Sequence, residues 1–428
     1  MNDSSSLKPS SSALARRVRE ALRNTPIDDI HTHLYDPAFG ELLLWGIDDL
    51  LTYHYLVAEV FRYLDIPAAT FWSLPKVRQA ELVWEHLFKN HSPLSEACRG
   101  VLTTLNALGF DLRKRDLPSI RKWFASQDPN KHVDRVLDLA GVRTVCMTNS
   151  PFDDLERPVW EKGFRRHERF KAALRIDPLL LDWPNASRKL YQQGYSVSRT
   201  LNTRTLTGVR QFLNDWSNRM KAGFLMVSLP PNFEFPAKTE CAQLISGAVL
   251  PHCQETGQPF ALMPGVKRGV NPALQLAGDG VGLSKLDGIA NLCAAHPTNK
   301  FAVTALAREN QHELCVLGRK FRNLHIFGCW WFLNTPSLIH EMTRMRIELM
   351  GLSFTPQHSD ARVLDQLIYK WRHSRSAIEQ VLVEKYSSLA EVGWTLPHSE
   401  LKRDAATLMG GEFNRFSSMT LKPNTMSP

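Results

Sequence analysis

The apolar residues of this chain gather in short unbroken runs, separated by longer stretches with helical spacing. Residues 11–23 come first, with Ala13, Leu14, Val18, Ala21 and Leu22 on one side of a helix that Pro26 ends. A strand follows at residues 27–33 (IDDIHTH). Seven further runs read as strands: residues 142–148, 171–176, 222–229, 259–263, 300–306, 324–329 and 352–357. Helix-like segments lie between them at 131–139, 209–221, 241–253, 283–294, 312–319 and 336–350. Short continuous apolar strands alternating with helices predict an α/β fold, a parallel sheet covered by helices. Eight such units predict closure into a (β/α)8 TIM barrel, with the whole chain, 1–428, as one barrel domain.

One stretch departs from that rhythm. Residues 40 to about 128 hold no clear strand but several helical patterns, for example 47–61 and 76–88, with a break at Phe71-Trp72-Ser73-Leu74-Pro75. They predict a helical insertion after the first strand. From 360 to about 415 the chain again reads as helical, at 360–371, 377–385 and 400–410. Residues 1 to about 10 are polar and expected to be mobile.

Composition narrows the class. The chain has 43% hydrophobic and 22% charged residues, which fits a folded protein and not a disordered one. Lys and Arg total 52 against 43 Asp and Glu, a net charge of +9 spread along the sequence. Its densest basic patches, Arg113-Lys114-Arg115 and Arg165-Arg166, sit in no nucleic-acid-binding motif, so no nucleic-acid partner is expected. Seven cysteines with no CxxC pair point to a reducing compartment. No apolar segment resembles a signal peptide or a membrane span, and a cytoplasmic location without membrane association is expected.

The sharpest chemical feature is His31-Thr32-His33. Side chains two apart on a strand share a face. Both imidazoles would project from the C-terminal end of strand one, where barrel enzymes place their sites, and imidazole is a common metal ligand. Asp360, after the last strand, either completes a His-His-Asp site across the barrel closure or caps the helix that begins nearby. Arg362, close by, offers a fork for a carboxylate. Arg175 ends strand three; a charge there must be paired, with Asp177 the nearest candidate in sequence, or meet an anion. His54 and Tyr55, in the insertion, either pack an amphipathic helix or reach over the barrel mouth as acid or base. Asn149, Arg308, Trp330 and Trp331 follow strands two, six and seven, where they would line a pocket or pack the loops. One HxH pair with one Asp favours a single-metal or metal-light site over a two-metal hydrolytic one. No Walker, Rossmann, GxSxG or HExxH motif is present, so no nucleotide or redox cofactor is expected.

At these residues the chain resembles the uronate isomerase (glucuronate isomerase) family of the amidohydrolase superfamily. The likeness runs from Asp29 to beyond Trp394. It is carried by His31-Thr32-His33, LLLWGIDDLLTYHYLVAE (42–59), SEACRGVLT (95–103), MTNSPFDD (147–154), ALRIDPLL (173–180), RENQHEL (308–314), FGCWWF (327–332) and QHSDARVLDQLIYKW (357–371). The sequence looks like the family's shorter bacterial branch. More distant members carry a histidine at strand five, where this chain reads Phe260-Ala261-Leu262-Met263.

The resemblance implies a barrel of the metal-dependent hydrolase type. It implies interconversion of D-glucuronate with D-fructuronate and of D-galacturonate with D-tagaturonate, through a cis-enediol. It implies that His31, His33 and Asp360 hold one divalent ion, often zinc. Arg175 and Arg362 would face a small-molecule uronate, and His54 and Tyr55 would enter from the insertion. Which of His54, Tyr55 or Asp360 moves the C2 proton stays open, as does assembly into a homo-oligomer. The rival readings are a hydrolase on the same scaffold and a non-catalytic sugar-acid binding protein.

Overall fold

β1 (Ile27–Thr32) begins a seven-stranded parallel sheet in the computed structural model, which describes residues 11–422. The others are β2 (Val142–Asn149), β3 (Phe170–Arg175), β4 (Leu225–Leu229), β5 (Phe260–Pro264), β6 (Phe301–Val303) and β7 (Leu324–Ile326). Strand order follows the sequence throughout, so each neighbour is reached by a crossover over one face. The expectation for residues 1–10 lies outside the described residues.

Local chemistry sets where elements begin and end. Asp128 accepts a hydrogen bond from the Lys131 amide and Pro129 occupies the first helical position, which starts the helix Pro129–Ala140. Gly141 ends it at φ 67°, a left-handed turn that glycine adopts without penalty, and β2 starts one residue later. In the insertion, the expected helix 47–61 is two helices, Ile47–Leu51 and His54–Val60. Between them the Thr52 hydroxyl bonds back to the Asp48 carbonyl (2.7 Å) and Tyr53 is extended, with ψ 139°. The two C-terminal helices expected at 360–371 and 377–385 are one, Gln366–Glu391.

Burial divides into two layers. The larger apolar cluster lies between sheet and helices and includes Ile27, Val145, Phe170, Leu225, Phe260 and Phe301. The smaller one gathers Ile30, Cys146, Ala173, Met226, Ala261, Met263, Ala302 and Phe327 with Trp330, Trp331 and Phe413. Phe413 belongs to the helix Glu412–Ser418, where its ring meets Phe224 at 5.4 Å and Phe327 at 6.4 Å. That helix is pinned beside the start of β1. The Asp28 carboxylate accepts from Asn414 (2.8 Å), Arg143 (2.9 Å) and Thr144 (2.8 Å). The end of the sheet opposite the histidines is thereby covered.

The sheet does not close into the expected eight-stranded barrel. Its edges, β1 and β7, stand 12 Å apart. Strands pair at about 4.8 Å, so this gap admits one further chain segment between them. Residues 354–361 cross it without a regular ladder. Thr355 bridges Phe327, with Thr355 N bonded to Ile326 O (3.0 Å) and Gly328 N to Thr355 O (2.8 Å). Further on, Asp360 N bonds to His31 O (3.1 Å) and His33 N to Ala361 O (2.8 Å). Pro356 has no amide to donate and Asp360 has φ 51°, so the expected strand 352–357 cannot continue as a ladder. The result is an open, curled half-barrel whose gap is spanned by the segment that carries Asp360.

Candidate metal centre and active site

His31 and His33 emerge at the C-terminal end of β1, with Thr32 buried between them and donating to the Cys146 carbonyl (2.9 Å). Thr148 spends its hydroxyl proton on the Thr32 carbonyl (2.8 Å). Its oxygen, 3.2 Å from His33 Nδ1, therefore accepts the Nδ1 proton. That leaves the His33 Nε2 lone pair free. It lies 3.3 Å from Asp360 Oδ1, and His31 Nε2 lies 3.2 Å from the same oxygen. His31 Nε2 and Asp360 Oδ1 nevertheless have no partner in hydrogen-bond geometry. Burial, then the nearby Arg362, pushes the His33 ring down to about 3, so it is neutral at physiological pH. Burial alone would raise the Asp360 carboxyl, but His31 and His33 outweigh it and hold it well below the usual range.

Two imidazoles, that of His33 neutral, and an ionised carboxylate, with donor atoms all within 4.8 Å, form the arrangement that a divalent cation satisfies. The fixed His33 tautomer is what a ligand nitrogen requires. Among the described residues this is the one cluster of its kind. β5 contributes no ligand: Ala261 and Met263 lie in the smaller apolar cluster.

Two non-glycine residues beside the centre, Asp360 (φ 51°) and Trp331 (φ 48°), hold left-handed backbone conformations. Such strain persists where the surroundings impose it, and it concentrates at functional sites. His358, two residues before Asp360, is fully buried, its ring edge-on to His31 at 4.9 Å. Room for it exists because residue 328 is glycine. A Cβ there would fall 1.8 Å from His358 Cδ2, and Gly328 has φ 69°. We expect Gly328→Ala to cost about 2–5 kcal/mol, combining left-handed strain with overpacking. Urea unfolding with an unchanged m-value checks this; a loss under 1 kcal/mol would contradict it.

The break at Thr52 turns three consecutive rings toward this end of the sheet. Tyr53 and His54 meet at 4.1 Å, His54 and Tyr55 at 4.6 Å, and His54 stands 5.7 Å from Trp331. The Tyr53 and Tyr55 hydroxyls, His54 Nε2, Trp331 Nε1 and both His358 nitrogens are buried without a partner in bonding geometry. Burial, then Arg362, holds the His54 imidazole well below its ordinary value. Burial, then Tyr53, holds the Tyr55 phenol well above its own. The site thus presents a neutral imidazole beside a protonated phenol.

The other candidates divide. Arg362 is half-buried, and its charge acts on His33, Tyr53 and His54. Arg175 makes a two-pronged pair with Asp177 (3.0 and 2.9 Å), so the paired alternative is the one seen. Asn149 Nδ2 donates to Glu156 (2.9 Å), while its Oδ1 is buried and unpartnered. Trp330 and Trp331 are both buried, and Trp331 joins the ring cluster. Arg308 is not brought in: its side chain is 57% exposed and paired with Glu341 (2.9 Å).

Several groups at the site carry no signal in the sequence. Glu156 accepts from Tyr35 (2.9 Å), Asn149 (2.9 Å) and the Ser150 amide (3.0 Å), a buried network near Arg175 and Arg362. Lys370 is buried and donates from Nζ to the Ser359 carbonyl (2.7 Å). His358 had a signal, its place beside Asp360, but nothing marked it as facing β1.

The chain matches no protein-family model, and no curated protein matches it. Among solved structures, a uronate isomerase from Bacillus halodurans C-125 is 51% identical, covers 96% of this chain and 98% of its own, and superposes with a TM-score of 0.95. A uronate isomerase from Thermotoga maritima is 15% identical, with 94% and 97% covered and a TM-score of 0.75. A glucuronate isomerase from Caulobacter crescentus is also 15% identical, with 98% and 97% covered and a TM-score of 0.68. These last two share the fold.

Proposed function

Because the chain belongs to the uronate isomerase family of the amidohydrolase superfamily, we propose that it interconverts D-glucuronate with D-fructuronate and D-galacturonate with D-tagaturonate. The observation within the molecule that carries this reading is the shell of unpartnered buried polar atoms around His31, His33 and Asp360. Buried polar groups are ordinarily bonded, and a polyhydroxylated acid supplies the missing partners.

The reaction moves a proton between C2 and C1 of the open-chain sugar acid and a hydroxyl proton between the neighbouring oxygens. We assign His31, His33 and Asp360 as holders of one divalent ion. Their donor set suits zinc, and Thr148 fixes the tautomer of His33. When bound, such an ion supplies positive charge beside oxygens that become negative. The His54 imidazole, kept neutral by burial and by Arg362, accepts the C2 proton and returns it to C1. Tyr55, kept protonated, donates its hydroxyl hydrogen to the oxygen on which charge develops. Arg362 receives the substrate carboxylate. Asn149 offers its free carbonyl oxygen to a substrate hydroxyl. Arg175, engaged by Asp177, orders the neighbouring wall and adds positive potential there. Trp330 and Trp331 shield the site from water, and Arg308 has no part in it.

The purified protein, assayed with D-glucuronate and D-galacturonate after zinc loading, should form the corresponding ketoses, and chelation should abolish that turnover. Hydrolysis of a lactone panel with no uronate turnover would replace this reading with a hydrolase.

A further inference from the structure

Asp360 is the ligand candidate that needs an unfavourable backbone angle, φ 51°. An L-residue in that region is held there at a cost. The angle is a rotation between two peptide planes, so whatever fixes those planes fixes the carboxylate.

Both planes are tied down. In the plane before Asp360, the Ser359 carbonyl accepts from Lys370 Nζ (2.7 Å) and from Asn334 Nδ2 (3.1 Å). The amide of that same plane, Asp360 N–H, donates to the His31 carbonyl (3.1 Å). In the plane after it, Ala361 N–H donates to Ser359 Oγ (3.2 Å). One residue back, Ser359 N–H donates to Asp29 Oδ1 (3.1 Å), and Asp29 Oδ2 accepts from Trp371 Nε1 (2.8 Å). Asp29 and Lys370 are therefore two buried ionisable groups that do not touch. They face each other through the backbone of Ser359.

Lys370 Nζ also lies 5.9 Å from the centre of the Tyr55 ring, a cation–π distance. A neutral side chain would bond a carbonyl at lower cost, since burying an ammonium is expensive. Burial pushes the Lys370 amine down, against the opposing pull of Asp360, Asp29 and Glu96, and its geometry here is set by the bond to Ser359 and the Tyr55 face.

We propose that Lys370 is a positioning residue for the reaction, setting the peptide plane before Asp360 and the Tyr55 ring at once, while Asp29 holds the Ser359 amide from the other side. The kinetic arm rests on the isomerase reading; the metal arm does not. Lys370→Met keeps the stem and removes the donor. It should lower kcat about 10–100-fold with KM within about threefold, and weaken Co2+ binding about 10–100-fold in a chelator competition, the range expected for residues that orient metal ligands. Lys370→Arg, which restores a cationic donor, should recover a large part of both. Should Lys370→Met not fold, Asn334→Ala removes the other donor to the same carbonyl and should lower kcat and Co2+ affinity at least fivefold. A folded Lys370→Met, or Asn334→Ala in its place, with Co2+ affinity and turnover within twofold of wild type overturns the proposal. If the wild-type protein turns over no uronate, the isomerase reading fails, and the Co2+ arm alone decides the clamp.

Discussion

Asp360→Asn should lose about 1,000-fold in kcat, with kcat/KM falling in parallel, while the protein stays folded. The catalytic loss follows from what the carboxylate faces. Its Oδ1 is the shared neighbour of His31 Nε2 and His33 Nε2, and it is ionised because those rings outweigh burial. The amide keeps the shape and removes the charge, so the two histidines lose their anionic co-ligand. Groups that act only on the transition state lower kcat and kcat/KM together, and losses of about 100–10,000-fold are usual for such groups. Folding should survive because asparagine tolerates the left-handed region as well as aspartate does. The backbone bonds from Asp360 N to His31 O and from His33 N to Ala361 O do not involve the side chain. Steady-state kinetics beside a thermal melt and a zinc determination check this. Near-normal turnover in the variant would remove Asp360 from the proposed centre.

The parts of this site that were legible in the sequence are those set by local periodicity. His31 and His33 sit on one face because a strand repeats every two residues, and β1 places them at its end as expected. The helix 336–350 falls where its spacing put it, as Pro336–Met350. Asp177 as partner of Arg175 was within reach for the same reason, lying two residues on. Illegible were features decided by distant residues. Nothing local says that Arg308 turns outward to Glu341 on the helix 33 residues later. Glu156 meets Tyr35 across 121 residues, and His358 fits beside His31 only because Gly328 leaves room. Apolar runs predicted eight strands because they report burial, and burial does not distinguish a ladder from an extended segment. Residues 352–357 are largely buried, but Pro356 and the left-handed Asp360 interrupt the pairing. The break at Thr52 escaped notice because the apolar spacing on either side is continuous, yet it turns His54 and Tyr55 toward the site.

His54→Asn should lower kcat about 100–10,000-fold and abolish hydrogen exchange at the substrate's C2 in deuterium oxide. The substitution keeps a polar, similarly placed side chain but removes the basic nitrogen. The assignment rests on competition among three groups. Asp360 directs Oδ1 at two histidines, which leaves it less free to take a carbon-bound proton. Tyr55 is held protonated by burial, and a protonated phenol donates rather than accepts. His54 is held neutral, and its Nε2 has no partner, so a lone pair or a proton is available at that atom. Because burial and Arg362 disfavour the imidazolium, the acid limb of kcat/KM should lie below 6.5, the ordinary imidazole value. Tyr55→Phe keeps the ring stacked on Phe332 and loses only the donor; a loss of about 100–1,000-fold in kcat is expected for removing one bond to a developing oxyanion. The two variants separate the roles through exchange. If His54→Asn still washed deuterium into C2 at the wild-type rate, the proton would be moving through another group, and Asp360 would be the next to test.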